Sequence, residues 1–91
     1  MTQAIDPIDR ALVTRQHIIR RAMLAELYAL RLQNDPRQEG FERDLTHALG
    51  HAPDECVLAL QFLVEIGFVQ RSGLACRITA QGMQYFEKEF Q

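Results

Sequence analysis

His47, His51 and Cys56 have side chains of the types that ligate metals, and the two histidines stand four residues apart. On an unbroken helix that spacing aims two imidazoles at one ion. Gly50 lies between them, however, and reads as a helix stop, so the shared geometry is lost and no metal is expected. Glu42 with Asp44, and Glu87 with Glu89, are carboxylates two residues apart. That places each pair on different sides of a helix, unable to share a proton. Cys56 and Cys76 are separated by twenty positions and form no CxxC; they read as two reduced, apolar thiols. A glycine-rich phosphate loop, HExxH and GxSxG are all missing from the sequence. No enzyme activity and no cofactor are expected.

What remains to do chemistry is cationic or apolar. Nine of the ten basic residues are arginine, against twelve acids, for a net charge of −2. Residues 1–43 hold seven basic and six acidic side chains, and residues 44–91 hold three and six. The amino half is therefore +1 and the carboxyl half −3. A balance this close to neutral argues against coating DNA by bulk electrostatics. With 91 residues, 47% of them hydrophobic, the chain has enough for one small core. Disordered, collagen-like and disulfide-scaffold classes are excluded. No basic stretch opens the N-terminus, and the longest apolar run, 56–60, is far too short to span a bilayer, as is the run 62–64 beside it. A cytoplasmic protein without a membrane role is expected.

These side chains must be positioned by local structure. Residues 8–33 carry a helical period, with Leu12, Ile19, Met23, Leu27 and Leu30 on one stripe and Ile8 at its edge. Arg10, Thr14, His17, Arg21 and Tyr28 fall on the opposite face. Asp6-Pro7 supplies a start and Asn34-Asp35-Pro36 a stop. A polar loop over 34–40 leads to a short helix over 41–49 with Leu45, Ala48 and Leu49 inward, closed by Gly50. The next helix begins near Pro53, is capped by Asp54, and runs to about Ile66, with Gly67 ending it. Period two then takes over. Residues 68–78 read as a hairpin turning at Ser72-Gly73, with Leu74, Cys76 and Ile78 on one face. Thr79 caps a last helix from Ala80 to about Phe90, with Met83, Phe86 and Phe90 inward.

A turn-linked helix pair followed by a hairpin gives a mainly α fold with a small β-hairpin: about four helices and a two-stranded wing. It is expected to form one domain over 1–91, with 1–7 as a flexible lead-in. The segment Leu63-Val64-Glu65-Ile66-Gly67-Phe68-Val69 resembles the junction between third helix and wing in the winged helix-turn-helix superfamily. Ile78-Thr79-Ala80-Gln81-Gly82 resembles the exit from that wing. The arginine-rich first helix, Ala48-Leu49-Gly50-His51 and the 63–69 junction also resemble a family of small winged-helix proteins of Mu-like prophages, commonly labelled regulators. The resemblance implies double-stranded DNA as a partner, transcription regulation, and a third helix laid in the major groove.

The residues of that third helix complicate the implication. Its outward arc is Asp54, Leu58, Gln61 and Glu65, with Phe62 at the edge, and no lysine or arginine occurs from Asp44 through Gln70. Gln61 alone could read a base. Phosphate contacts would come from Arg20, Arg21, Arg43, Arg71 and Arg77, on the first helix, at the second helix and beside the hairpin turn. Leu58 and Phe62, one turn apart on the outward side, fit a protein interface if they are exposed and core if another helix covers them. Two functions are therefore expected in turn: a homodimeric DNA-binding regulator, or a winged-helix module that binds another protein or itself without reading DNA through its third helix.

Overall fold

The computed structural model describes residues 7–33 and 40–89, with side chains described from Arg10 onward. Asp6, the 34–36 stop signal and Phe90 lie outside the described residues, as does the side chain of Ile8. The elements run α1 (Pro7–Leu32), β1 (Gly40–Phe41), α2 (Glu42–Leu49), α3 (Pro53–Glu65), β2 (Val69–Ser72), β3 (Ala75–Ile78) and α4 (Ala80–Glu89). The protein is thus mainly helical with a small antiparallel sheet.

α1 is long because nothing in its sequence breaks it, and its 26 residues span about 39 Å. Ile19, Met23 and Leu27 are buried on the expected stripe, Leu24 is buried outside it, and Leu12 and Leu30 are half-buried at its margins. They meet Leu45 of α2, Cys56, Ala59, Leu60 and Leu63 of α3, and Val69, Cys76 and Ile78 of the sheet. Tyr28 departs from the polar face assigned to it. Because α4 packs across that side of α1, its ring lies 4.8 Å from Phe86 and its hydroxyl donates to Glu87 Oε2 at 2.6 Å. Arg31 Nη1 donates to the carbonyl of Ile78 at 2.8 Å, tying α1 to the end of β3.

Among the described residues the sheet has three strands rather than two, in the order β1-β3-β2. Gly40 and Phe41 pair with Cys76 and Ala75, so Phe41 ends a strand instead of starting α2. In the β2–β3 hairpin Val69 faces Ile78 and Ser72 faces Ala75. The two-residue loop is therefore Gly73-Leu74, one position later than Ser72-Gly73. Gly73 takes φ +60°, the left-handed sense that such a loop needs at its first position. That shift removes Leu74 from the inward face; it is 73% exposed at the tip, whereas Cys76 and Ile78 are fully buried.

Gly50 ends α2 in the left-handed conformation, as expected. α3 starts differently. Pro53 occupies the first turn and Ala52 is the N-cap, with no side-chain cap bond, so Asp54 lies inside the helix and serves its dipole instead. Ala48 is exposed on α2, while Leu49 packs against the core. Thr79 does cap α4: its Oγ1 accepts from the Gly82 amide at 3.0 Å and donates to the Gly67 carbonyl at 2.6 Å.

Candidate functional site

α3 divides into an inward and an outward arc along its length. Cys56, Ala59, Leu60 and Leu63 are buried, Val64 is half-buried, and Ile66, expected inside, is 38% exposed just beyond the last turn. The outward arc carries Asp54, Val57, Leu58, Gln61 and Glu65, all exposed. Two carboxylates, one amide and two aliphatic side chains face solvent there, without a cation. Leu58 is 45% exposed, so no other element of the described chain covers it.

Phe62 differs from its neighbour. It is half-buried because α1 reaches over it: the Arg20 guanidinium carbon sits 3.6 Å above the centre of its ring. This is cation–π distance. The Arg20 Nε is buried with no hydrogen-bond partner among the described residues. One turn earlier Gln16 is 3% exposed; its Nε2 donates to the Glu55 carbonyl at 2.9 Å, while its Oε1 is buried without a partner. Arg15 Nε pairs with Glu55 Oε1 at 2.8 Å. α1 is thus held against α3 partly by polar groups that themselves end in unsatisfied atoms.

Beside this contact runs a groove of about 410 Å³ between α1, α3 and α4. His17, Arg20 and Arg21 form one wall, Phe62, Leu63 and Ile66 another, and Tyr85 with Glu89 close the third side. Tyr85 is stacked on Phe68, ring centres 4.7 Å apart, and donates to Glu89 Oε1 at 3.0 Å. That hydrogen bond to a carboxylate raises its pKa above the ordinary 10.0; burial and the Glu89 charge add to the rise, and the Arg21 charge opposes it. The groove therefore has an apolar floor, a basic side and a single carboxylate at its far end.

The six expected phosphate and base contacts do not converge on one surface. Arg20 and Arg21 belong to the groove. Arg43 is exposed in the first turn of α2 and lines a shallow cleft of about 440 Å³ with Phe41, Asp44 and Leu74. Arg71 is bound intramolecularly, its Nη2 donating to Glu42 Oε2. Arg77 is half-buried on the sheet face that also presents Gln70. Gln61 is exposed on α3, a helix without an arginine.

Sequence reasoning missed Val57, Ile66, Tyr85 and Glu89 as parts of these surfaces. Tyr85 and Glu89 stand one helical turn apart, a visible signal for a shared face, but which element they meet depends on how α4 docks. Among the described residues no three His, Cys, Asp or Glu side chains are grouped to hold a metal. The two cysteines are buried and not joined in a disulfide; the Cys56 thiol lies 4.0 Å from the His51 carbonyl, and burial, then the Glu55 charge, raises its pKa. None of the described helices is long and apolar enough to cross a membrane. No family model, curated protein or solved structure matches the chain.

Proposed function

We propose that this is a winged helix-turn-helix protein that acts by protein association through α3, rather than by reading bases with that helix. The winged-helix reading is supported by the succession of a turn-linked helix pair, a hairpin and a capped final helix. The observation that carries the functional reading is the exposed arc of α3. Leu58 and Val57 stand in solvent between Asp54 and Glu65, with no cation on the helix. A helix of this kind in a major groove meets phosphates with carboxylates, and binding to nucleic acid depends on cations that displace counterions. An apolar centre with a charged rim suits another protein.

A second reading, DNA contact through the hairpin side of the molecule, is favoured by Arg43 and Arg77. Neither enters an ion pair among the described residues. The two readings separate in fluorescence anisotropy with labelled duplexes at low salt, comparing wild type, Gln61→Ala and the Arg43→Ala/Arg77→Ala pair. The proposal expects Gln61→Ala to leave any binding unchanged. Whatever binding exists should disappear with the two arginines and show no preference for sequence. Sequence-selective binding that Gln61→Ala abolishes would overturn the proposal.

A further inference from the structure

The partner of this surface can be narrowed from its charges. The exposed arc of α3 is acidic at both ends, with Asp54 in its first turn and Glu65 as its last residue. The neighbouring wall of the groove is basic, formed by His17, Arg20 and Arg21 of α1. Phe62 and Ile66 of α3 lie in the floor between, and Leu58 stands exposed one turn before Phe62. One molecule therefore displays, side by side, an acidic strip and a basic strip flanking an apolar seam. A surface of that kind is complementary to itself after a half-turn: the acidic strip of one copy falls on the basic strip of the other, twice.

We infer that the partner is a second copy of this chain, joined isologously so that the exposed face of α3 in each copy lies against the α1 wall of the groove in the other. This rests on the proposed use of α3 for protein association and adds the identity of the partner. In a two-fold pairing every contact is made twice, so a single complementary pair of strips contributes two sets of charge-assisted bonds.

The size of the face sets the strength. The 13 residues of α3 run for about 20 Å, and two adjacent helices are about 20 Å wide, giving a face on the order of 400 Å² per copy. Twice that area falls below the roughly 1,200 Å² of ordinary stable complexes, so the dimer is expected to be weak and concentration-dependent.

Sedimentation velocity between about 1 µM and 1 mM, the span in which weak complexes form, tests this with three variants and one mixture. Wild type should shift from one copy to two with rising concentration. Leu58→Glu, Asp54→Arg/Glu65→Arg and His17→Glu/Arg21→Glu, each checked for unchanged helical content by circular dichroism, should each weaken the dimer at least tenfold. An equimolar mixture of the two charge-reversed variants should restore dimerisation, because opposite strips face each other again. Monomeric wild type across the whole range would overturn the inference. So would a mixture that stays monomeric while wild type dimerises. Either result leaves α3 open to a different protein, whereas sequence-selective DNA binding through Gln61 would remove the underlying reading itself.

Discussion

Thr79 is a small residue with a large structural task, and replacing it by valine isolates that task. Its Oγ1 donates to the Gly67 carbonyl at 2.6 Å and accepts from the Gly82 amide at 3.0 Å. Its own amide donates to the Phe68 carbonyl at 2.9 Å. The side chain thus pins the start of α4 to the loop that ends α3, and α4 supplies the Tyr85 and Glu89 side of the groove. Valine keeps the shape and the backbone bond but removes both hydroxyl bonds. Loss of a helix cap costs about 1 kcal/mol. The second lost bond leaves the carbonyl of half-buried Gly67 without its donor and adds about 1–2 kcal/mol. The sum is roughly 2–3 kcal/mol, a large share of the ~5–14 kcal/mol expected for 91 residues. For a domain this size it should lower the melting temperature by about 10–20 °C. Thermal unfolding followed by circular dichroism checks this, with Thr79→Ser as control because serine retains both bonds. If Thr79→Val melted within a few degrees of wild type, the bridge would not be what holds α4 in place.

Two further outcomes follow from the same region and from α4. Gly82→Ala places a Cβ 2.3 Å from the Phe68 carbonyl oxygen and 2.8 Å from Ile78 Cγ1, so backbone must move; the cost should reach the upper end of overpacking, about 3 kcal/mol, and a denaturant titration equal to wild type would contradict it. Tyr28 and Tyr85 donate to Glu87 and Glu89, bonds that hold both phenols above the ordinary 10.0. The neutral phenol is the bonded form, so the stability these bonds lend is complete below pH 10 and lost as pH rises through the folded pKa values. Phenolate absorbance should therefore appear later in the folded protein than after unfolding in urea, and coincident titrations would refute the assignment.

The helices were legible wherever one residue decided the matter. Gly50, lacking a side chain, ends α2 at positive φ, Thr79 starts α4 with its hydroxyl cap, and the 3.6-residue period of α1 marks its buried stripe through Ile19, Met23 and Leu27. The outward arc of α3 was equally readable, since a helical wheel already separates Leu58, Gln61 and Glu65 from Leu60 and Leu63. Long-range choices were not readable. Gly40-Phe41 is too short to show a period, and it becomes a strand only because β3 lies beside it, with Glu42 N–H also donating to the Leu74 carbonyl at 3.0 Å. Tyr28 looks polar by its wheel position until α4 is laid over it. The fates of the arginines were hidden for the same reason. Arg71 meets Glu42 across 29 positions, and Arg20 meets Phe62 across more than forty, so charge counting could not tell which cations were already committed within the chain. Arg20 and Arg71, both expected to bind phosphate, are engaged in this way. The apolar seam beside them owes its exposure to how α1 crosses α3, which no single segment encodes.

The central claim is that the exposed face of α3 meets protein and not bases. Amide chemical shifts measured by NMR on one labelled sample test it directly, first across a protein dilution series and then against added duplex DNA at low salt. The amides of Asp54, Val57, Leu58, Gln61 and Glu65 should move with protein concentration and stay still when DNA is added. The opposite pattern, α3 amides silent to concentration and shifted by DNA, would contradict the account.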